Sequence, residues 1–338
     1  MQGKDLQELR QEVADLLNRK GNRGFPGAQP VSFAKRHLQE LQTRDYYVCE
    51  KSDGIRCLMY LTAEVTQNGP QEMAYLIDRR NEYYQVPGLH FPRPENHQNY
   101  YTQTIFDGEL VNDRERDGTI QQRYIVFDCL VLDAQPLMER TLDKRIGYFH
   151  EKIWKPYQDL FWNRFPQERA HLPFLVAEKK MELGYGTEMM FRQVLLNLKH
   201  GNDGLIFTCR TTPYQFGTDP HILKWKPAKD NSIDFKLMLD IPMYYPPDDE
   251  EPFPDYDVIP TLNLAVSGDG DRDMLYGTMH VTEEEWEALK AREEPLDERI
   301  VECHLEDGKW RFMRFRDDKK GANHISTCLL YTSDAADE

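Results

Sequence analysis

A lysine, an aspartate and a glycine interrupt the apolar stretch YYVCEKSDGIRCLMYL, which runs from Tyr46 to Leu61. We expect Lys51 to lie at a tight turn, which Gly54 permits because it has no Cβ. A neutral lysine can attack the phosphorus of a nucleotide, although its reference pKa of about 10.4 disfavours the neutral form. Nearby cations and partial burial lower such a pKa. Lys51 is therefore a candidate nucleophile, although most K-x-D-G segments in proteins are ordinary turns.

Two later segments again place carboxylates beside a glycine in a strand-like run. FDGEL contains Asp107 and Glu109 around Gly108, and NDGLIF contains Asp203. Carboxylate oxygens are the hard ligands that Mg²⁺ prefers. Nucleotidyl transfer uses such a metal together with cations, because negative charge develops on the phosphate oxygens as pyrophosphate leaves. These carboxylates are therefore candidate metal ligands, with a hairpin turn as the alternative for FDGEL.

Two clusters of cations follow. In LKWKP, Lys224 and Lys226 are two residues apart, so in a strand both side chains point to the same face. Two such cations repel each other unless an anion lies between them. The segment WRFMRFRDDKK contains a second cluster, which comprises Arg314, Arg316, Asp318 and Lys319. Each cluster alone could be a solvated strand face. The order and number of the segments together favour nucleotidyl transfer.

Strands and helices must position these residues, and the pattern of both in the sequence predicts an α+β first domain over residues 1–232. Short runs of β-branched and aromatic residues, separated by turn residues, indicate strands from Tyr46 onward. We expect these strands to form antiparallel sheets. Helical spacing of apolar residues predicts helices near residues 6–17, 33–41 and 187–199.

Residues 233–326 form a second domain in this interpretation, after a linker at residues 227–232. About five strands and one helix are typical of a small β-barrel such as an OB-fold. Thr282 and Glu285 have the spacing of a capping box for the helix EEEWEALKA. Residues 327–338 continue no preceding pattern, so we exclude them from the fold as a foreign or disordered tail.

Composition limits the possible functions. The chain has 338 residues and a net charge of −16, which argues against a protein that coats nucleic acid. No apolar run reaches the roughly 18–20 residues of a membrane span. The six cysteines include no C-x-x-C, so we expect neither a disulfide framework nor a zinc site.

Six segments, in this order, resemble the collinear motifs of eukaryotic mRNA-capping guanylyltransferases. That family belongs to the lysyl-nucleotidyl transferases, which include the ATP-dependent ligases. The resemblance extends from about Gly24 to Ser326. Within that family, the chain is most similar to the fungal, single-activity type. The segments are KSDGIR, FDGELV, RYIVFDCLVLD, NDGLIF, HILKWKP and RFRDDKKGAN. Further segments that resemble capping enzymes specifically are GFPGAQPVS, DRRNEYY, KKMELGYG and ERIVEC.

The resemblance implies a nucleotidyltransferase domain of the ligase and capping type, ATP-grasp-like, followed by an OB-fold β-barrel. It also implies a reaction in which Lys51 forms covalent lysyl-N-GMP from GTP and releases pyrophosphate. GMP would then pass to the 5′-diphosphate end of pre-mRNA to make the GpppN cap. Two alternatives remain open: an ATP-dependent polynucleotide ligase with the same chemistry, and an inactive scaffold that binds the polymerase tail.

For the base, ribose and metal, the resemblance assigns five residues. Arg56 and Glu109 lie near the ribose, and Glu109 with Asp203 holds Mg²⁺ or Mn²⁺. Phe127 stacks on guanine, unless it belongs to the core. Lys180 contacts the guanine O6, with Lys179 as the competing candidate.

For the phosphates, the resemblance assigns Lys224 and Lys226 to the α-phosphate and Arg79 to a phosphate contact, with Arg80 as the alternative. The second domain would orient the β- and γ-phosphates through Arg316, Asp318 and Lys319, closing over GTP and then opening to RNA. Family membership further implies a nuclear protein that binds the phosphorylated C-terminal domain of RNA polymerase II. A separate RNA 5′-triphosphatase is a further candidate partner, and we expect no membrane association.

Overall fold

The computed structural model describes residues 3–20, 24–66, 69–227, 231–247, 251–270 and 272–328. The chain divides into two compact units, Met1–Trp225 and Lys226–Glu338. The division therefore falls a few residues before the boundary predicted between 232 and 233. Most of the predicted linker, residues 228–230, lies outside the described residues.

The first unit contains twelve strands among its described residues. They are β1 (Ala28–Ser32), β2 (Tyr46–Ser52), β3 (Ile55–Thr66), β4 (Gly69–Ile77), β5 (Tyr83–Val86), β6 (Thr104–Arg114), β7 (Ile120–Leu132), β8 (Gln135–Pro136), β9 (Leu175–Glu178), β10 (Glu182–Leu183), β11 (Asn202–Cys209) and β12 (Gly217–Trp225).

Two sheets are formed by these strands. Sheet I has the order β1-β12-β11-β2-β10, and sheet II has the order β5-β4-β3-β6-β7-β8 with β9 paired to β7. Most neighbours are antiparallel, as predicted, but β1 pairs with β12 and β9 pairs with β7 in parallel. The α+β class is thus confirmed, and the sheets are mixed rather than purely antiparallel.

Three of the five α-helices of the first unit overlap the regions that periodicity identified, and the other two lie between residues 142 and 158. The α-helices are α1 (Gly3–Leu16), α2 (Leu38–Thr43), α3 (Leu142–Phe149), α4 (Lys155–Gln158) and α5 (Thr187–Met189). Turns of 3₁₀- or π-helix extend several of them, at Lys35–His37, His150–Trp154, Asp159–Arg164, Pro166–His171, Gly184–Gly186, Met190–Val194 and Leu195–Asn197. The continuous helix predicted for 187–199 is therefore replaced by short segments of different winding. Among the described helices, none is long and apolar enough to cross a membrane.

Sheet II is buried on both faces, as the alternation of side chains along β3 shows. Met59 and Leu61 belong to a core with the helical segment that begins at α3, which includes Phe149. Leu58 and Tyr60 belong to a separate cluster with α1. Because successive side chains of a strand point to opposite faces, one strand contributes to both cores. Sheet II is therefore held as a rigid layer in the middle of the unit.

The second unit has the strands β13 (Ser232–Asp240), β14 (Met243–Tyr244), β15 (Phe253–Pro254), β16 (Thr261–Ser267), β17 (Asp273–Thr278), β18 (Ile300–Glu306) and β19 (Lys309–Phe315). Five of them form a sheet in the order β17-β16-β13-β18-β19, and helix α6 (Glu283–Lys290) lies between β17 and β18 in sequence. A parallel bridge between Met279 and Trp310 links the two ends of this sheet. This connectivity is that of an OB-fold, a barrel that here is only partly closed.

Two sequence predictions about the second unit can be compared with the structure. The capping box is confirmed, since the Thr282 hydroxyl accepts from Glu285 N and the Glu285 carboxylate accepts from Thr282 N. Cys328, which we excluded with the tail, is instead buried in the apolar core of this unit. The rest of that tail, residues 329–338, lies outside the described residues. None of the six cysteines, all within described segments, forms a disulfide bond.

Candidate active site

A pocket lies between sheets I and II inside the first unit. Sheet I and its flanking segments contribute Ala28, Pro30, Cys49, Glu50, Lys51, Ser52, Met181, Ile206, Thr208 and Ile222. Sheet II and neighbouring segments contribute Arg56, Arg79, Asp107, Glu109, Phe127, Asp128, Leu142, Lys179 and Tyr214. The space inside the pocket is about 820 Å³ when the open solvent at its mouth is included.

Lys51 is the sixth residue of β2, so it belongs to a strand rather than to the turn that we predicted. The chain leaves sheet I after Ser52 and enters sheet II at Ile55, so β2 and β3 do not pair with each other. The Lys51 side chain is 25% exposed, and its Nζ lies 2.5 Å from Asp203 Oδ1. The KSDG segment is thus the crossover between the two sheets that enclose the pocket.

Gly54 has a different role from the one that we predicted. Its backbone is not left-handed; instead, a Cβ at this position would lie 2.6 Å from the Leu110 carbonyl oxygen and 2.9 Å from Glu109 Cγ. Real Cβ atoms essentially never make such contacts, so only glycine allows the crossover to pass this close to β6. The Gly54 N–H donates to Glu109 Oε1 at 3.2 Å, which ties the crossover to that carboxylate.

Asp203 is held at an irregularity in the pairing of β11 with β2. The register shifts between Asn202 and Leu205, and Gly204 has a φ of +136° that favours glycine. The Asp53 N–H donates to the Gly201 carbonyl at 2.9 Å across the same junction. This bulge directs the Asp203 carboxylate to Lys51.

Glu109 and Asp203 are the two predicted metal ligands. Burial raises the pKa of the Glu109 carboxyl, an effect that Lys179 and Lys51 oppose. Among the described residues, no group of three or more His, Cys, Asp or Glu side chains forms a complete metal cage. Two carboxylates still suit Mg²⁺, because this ion is usually bound by one or two carboxylates together with substrate phosphates.

Arg56 and Phe127 lie side by side on the wall of the pocket. Arg56 donates to Asp107 twice, from Nε at 3.1 Å and from Nη2 at 2.6 Å, and also to the Ala28 carbonyl. The Arg56 guanidinium carbon lies 5.4 Å from the centre of the Phe127 ring, a cation–π distance. Phe127 is only half-buried and lines the pocket, so its position differs from that of a core side chain.

Tyr214 is a pocket residue that the sequence did not identify. Its hydroxyl donates to Asp107 Oδ2 at 2.7 Å and accepts from the Ala28 N–H at 2.8 Å. Asp107 is fully buried, so these bonds together with Arg56 satisfy a carboxylate that water does not reach. Tyr214 lies between two motifs and carries no local pattern that would have distinguished it from a core tyrosine.

The structure distinguishes between the two members of each pair of competing cations. Lys179 is buried on the pocket wall, where its Nζ contacts Glu50 Oε1 at 2.7 Å and donates to Ser52 Oγ at 2.6 Å. Lys180 is exposed and does not line the pocket. Arg79 is exposed but lines the pocket, whereas Arg80 does not. The geometry therefore favours Lys179 over the predicted Lys180 for a base contact, and Arg79 over Arg80.

Lys224 lies on the pocket face of sheet I. It is paired with Ile206 in β11, which in turn is paired with Cys49 in β2, and both of these residues line the pocket. Residues directly opposite each other in a sheet share a face. Lys226, in contrast, is the first residue of the second unit.

Arg316 and Lys319 share one buried acceptor in the second unit. Lys319 Nζ contacts Asp234 Oδ2, and Arg316 Nη1 donates to Asp234 Oδ1 at 3.1 Å. Arg316 also forms paired bonds with Asp318, and it lowers the pKa of that carboxyl to about 2. The predicted phosphate-binding residues of this unit therefore form one cluster around Asp234.

A pocket with a lysine, carboxylates and an arginine between two sheets, followed by an OB-fold unit, defines a nucleotidyltransferase. Residues 1–228 match a family model described as mRNA capping enzyme, catalytic domain. Residues 230–330 match the model described as mRNA capping enzyme, C-terminal domain. The chain belongs to the mRNA-capping enzyme family, and it is an mRNA guanylyltransferase.

Relatives of known description agree with this assignment. The mRNA-capping enzyme subunit alpha of Neurospora crassa is 50% identical, over 94% of this chain and 83% of that protein. The protein of the same description from Schizosaccharomyces pombe is 47% identical, over 96% of this chain and 79% of that protein. The resemblance to fungal capping enzymes that the six motifs indicated is thus confirmed.

Solved structures of DNA ligases are more distant. Mycobacterial DNA ligase D, complexed with ATP and MES, is 15% identical with a TM-score of 0.41, and the match covers 88% of this chain and 96% of that chain. Chlorella virus DNA ligase-adenylate is 14% identical with a TM-score of 0.37, over 86% and 99% of the two chains. Similarity at this level has no bearing on the substrate.

Proposed function

We propose that Lys51 is the nucleophile of the guanylyltransferase reaction. In the first step Lys51 Nζ attacks the α-phosphorus of GTP, a P–N bond forms, and the bond to the β-phosphate oxygen breaks to release pyrophosphate. The observation that supports this most is the placement of Lys51 in the pocket, 2.5 Å from Asp203. A covalent intermediate divides one difficult transfer into two easier ones.

Several side chains are placed to bind GTP in this pocket. Phe127 offers a ring face to the base, Lys179 offers a buried ammonium group, and Arg56 is held rigidly by Asp107 for the ribose. Lys224, on the same face of sheet I as Cys49 and Ile206, would contact the α-phosphate. Preorganised cations of this kind stabilise the charge that develops in the transition state.

Glu109 and Asp203 would hold Mg²⁺ or Mn²⁺, which when bound would neutralise charge on the phosphate oxygens. Before attack, Lys51 must lose a proton, and its Nζ lies 2.5 Å from Asp203 Oδ1. A cation bound by Asp203 would compete with Lys51 for that carboxylate. The roles of Lys226, Arg316, Asp318 and Lys319 toward the phosphates stay predictions from the resemblance.

In the second step, an oxygen of the 5′-diphosphate end of RNA attacks the phosphorus of the bound GMP. The P–N bond to Lys51 breaks, the amine takes up a proton, and the GpppN cap leaves. We further propose that the protein is nuclear and binds the phosphorylated C-terminal domain of RNA polymerase II. An RNA 5′-triphosphatase would be a separate partner. These proposals rest on membership of the family.

The test is incubation of the purified chain with α-labelled GTP or ATP and MgCl₂, followed by denaturing electrophoresis. We expect a labelled protein band from GTP, none from Lys51→Ala, and a modified peptide that contains Lys51. The release of GpppN from the labelled protein by 5′-diphosphate RNA tests the second step. A band from ATP and none from GTP would instead identify a ligase-type adenylyltransferase.

A further inference from the structure

His200 is a buried imidazole that none of the proposed catalytic steps uses. Its side chain is 7% exposed. His200 Nδ1 lies 2.8 Å from Asp113 Oδ1, and Nε2 lies 3.3 Å from Ser52 Oγ and 3.6 Å from Glu50 Oε1. We propose that His200 is a positioning residue, which fixes Lys51, Glu109 and Asp203 relative to one another. This inference rests on the proposed function of those three residues.

Each contact of His200 reaches an element that carries one of the three. Glu50 and Ser52 are the two neighbours of Lys51 in β2. Asp113 lies in β6, four residues after Glu109 and therefore on the same face of that strand. His200 itself precedes Asp203 by three residues. One imidazole thus connects the segments that carry the nucleophile and both predicted metal ligands, although these segments come from distant parts of the sequence.

The groups around His200 satisfy one another. Lys179 pairs with Glu50 and donates to Ser52 Oγ, while Arg123 Nε donates to Asp113 Oδ2 at 2.5 Å. Buried polar networks that are fully satisfied hold their members rigidly, whereas loss of one member leaves buried polar groups without partners. The network therefore specifies where the end of β2 lies relative to β6.

Protonation strengthens these contacts, because both ring nitrogens of a charged imidazole are donors. The carboxylates of Glu50 and Asp113 raise the pKa of His200, and burial and Lys179 act in the opposite direction. Charged His200 can donate to Asp113 through Nδ1 and toward Ser52 and Glu50 through Nε2. The neutral ring can donate through only one of its nitrogens.

Two substitutions each preserve one side of this bridge. In His200→Asn the amide nitrogen can replace Nδ1 and donate to Asp113, and in His200→Gln it can replace Nε2 and donate toward Ser52. The matched control is His90→Gln, since His90 also pairs with a carboxylate, Glu72, at 2.6 Å, but Glu72 lies in β4, which carries none of the three residues. All variants are made in the full chain, and folding is checked by circular dichroism and thermal unfolding.

Three measurements separate positioning from a merely structural role. In single-turnover formation of labelled protein, we expect the rate constant of both His200 variants to fall by about 10-fold or more. The GTP concentration for half-maximal rate should change much less. Mn²⁺ binding without nucleotide, followed by electron paramagnetic resonance, should weaken by a similar factor. His90→Gln should match the wild type in all three.

A folded His200→Gln or His200→Asn protein with wild-type rate constant and Mn²⁺ affinity would overturn the inference, even if its unfolding temperature fell. Should neither variant fold, Asp113→Asn weakens the same bridge from the other side and is judged by the same measurements. Failure of the wild type to form an adduct with GTP is a different result, which refutes the proposed function itself.

Discussion

Lys51 and Asp203 form a 2.5 Å ion pair across adjacent strands of sheet I, although 152 residues separate them in the sequence. Neither side chain is fully buried, with exposed fractions of 25% and 30%. Both are therefore partly accessible to solvent. In the proposed reaction, a cation bound by Asp203 would compete with Lys51 for this carboxylate.

We expect Asp203→Asn to slow formation of the lysyl-GMP adduct by about 100-fold, because the neutral amide is a poor ligand for a divalent cation, and loss of that cation would leave the charge on the phosphate oxygens unneutralised. The measurement is the single-turnover rate with labelled GTP as a function of Mg²⁺ concentration. Asp53→Asn is the control, since Asp53 contributes to this junction through its backbone N–H. An Asp203→Asn rate equal to that of the wild type would contradict a role in metal binding.

Lys179 and Lys180 provide a matched pair of substitutions. Lys179→Met removes the partner of buried Glu50, so we expect a loss of about 3 kcal/mol in the free energy of unfolding. It should also reduce the preference for GTP over ATP in adduct formation. Lys180→Met changes an exposed side chain and should stay within about 0.5 kcal/mol of the wild type. Both are measured by urea denaturation and by competition between labelled nucleotides. The opposite ranking of the two variants would restore Lys180 as the base contact.

The sequence alone could not distinguish between these two lysines. Both lysines follow directly after β9, and which of the two points into the pocket depends on the pleat of the chain at the end of that strand. Likewise, the residues KSDG were recognised as a special segment. That they cross from one sheet to another follows only from the pairing of β2 with β11 and of β3 with β6.

Runs of β-branched and aromatic residues bounded by turn residues explain why strands were predicted from Tyr46 onward, the region in which the structure has β2, β3, β6, β11 and β12. The helical region from Leu142 to His171 was missed because its windings change repeatedly, so no single helical period persists. Tyr214 and His200 were missed for another reason. Their partners Asp107 and Asp113 lie 107 and 87 residues away in the sequence, so no local pattern marks them.

Low pH should selectively lower the stability of the second unit, because Glu302 becomes protonated. Burial opposes ionisation of this carboxyl, but bonds from Ser232 and Arg314 lower its pKa below the ordinary value of 4.5. A carboxyl whose pKa is lowered by folding stabilises the protein above its unfolded pKa, and this stabilisation is lost as the pH falls through the folded pKa. We therefore expect the wild type to be more stable than Glu302→Gln at pH 6, by about 1–3 kcal/mol.

This difference should narrow as the pH falls below 4.5, the ordinary pKa of the group. The measurement is the free energy of unfolding in urea at a series of pH values. Glu306→Gln, in the same strand but largely exposed, should show little difference from the wild type at any pH. A constant gap between wild type and Glu302→Gln from pH 6 to pH 3 would show that the carboxyl does not titrate as described.

Gly54→Ala tests the close passage of the crossover beside β6. The added Cβ would lie 2.6 Å from the Leu110 carbonyl oxygen, which is backbone and cannot rotate away. Either the crossover or β6 must shift, at a cost of about 1–3 kcal/mol, and the shift would separate Lys51 from Glu109. We expect adduct formation to fall by about 10-fold or more, because small misplacements of reacting groups strongly reduce rates.

Gly147→Ala is the control: that glycine is in α3 with open space around its Cβ position, so alanine should keep full activity and add up to about 1 kcal/mol of stability. Normal adduct formation by Gly54→Ala would show that the crossover tolerates displacement, and that the position of Lys51 does not depend on this contact.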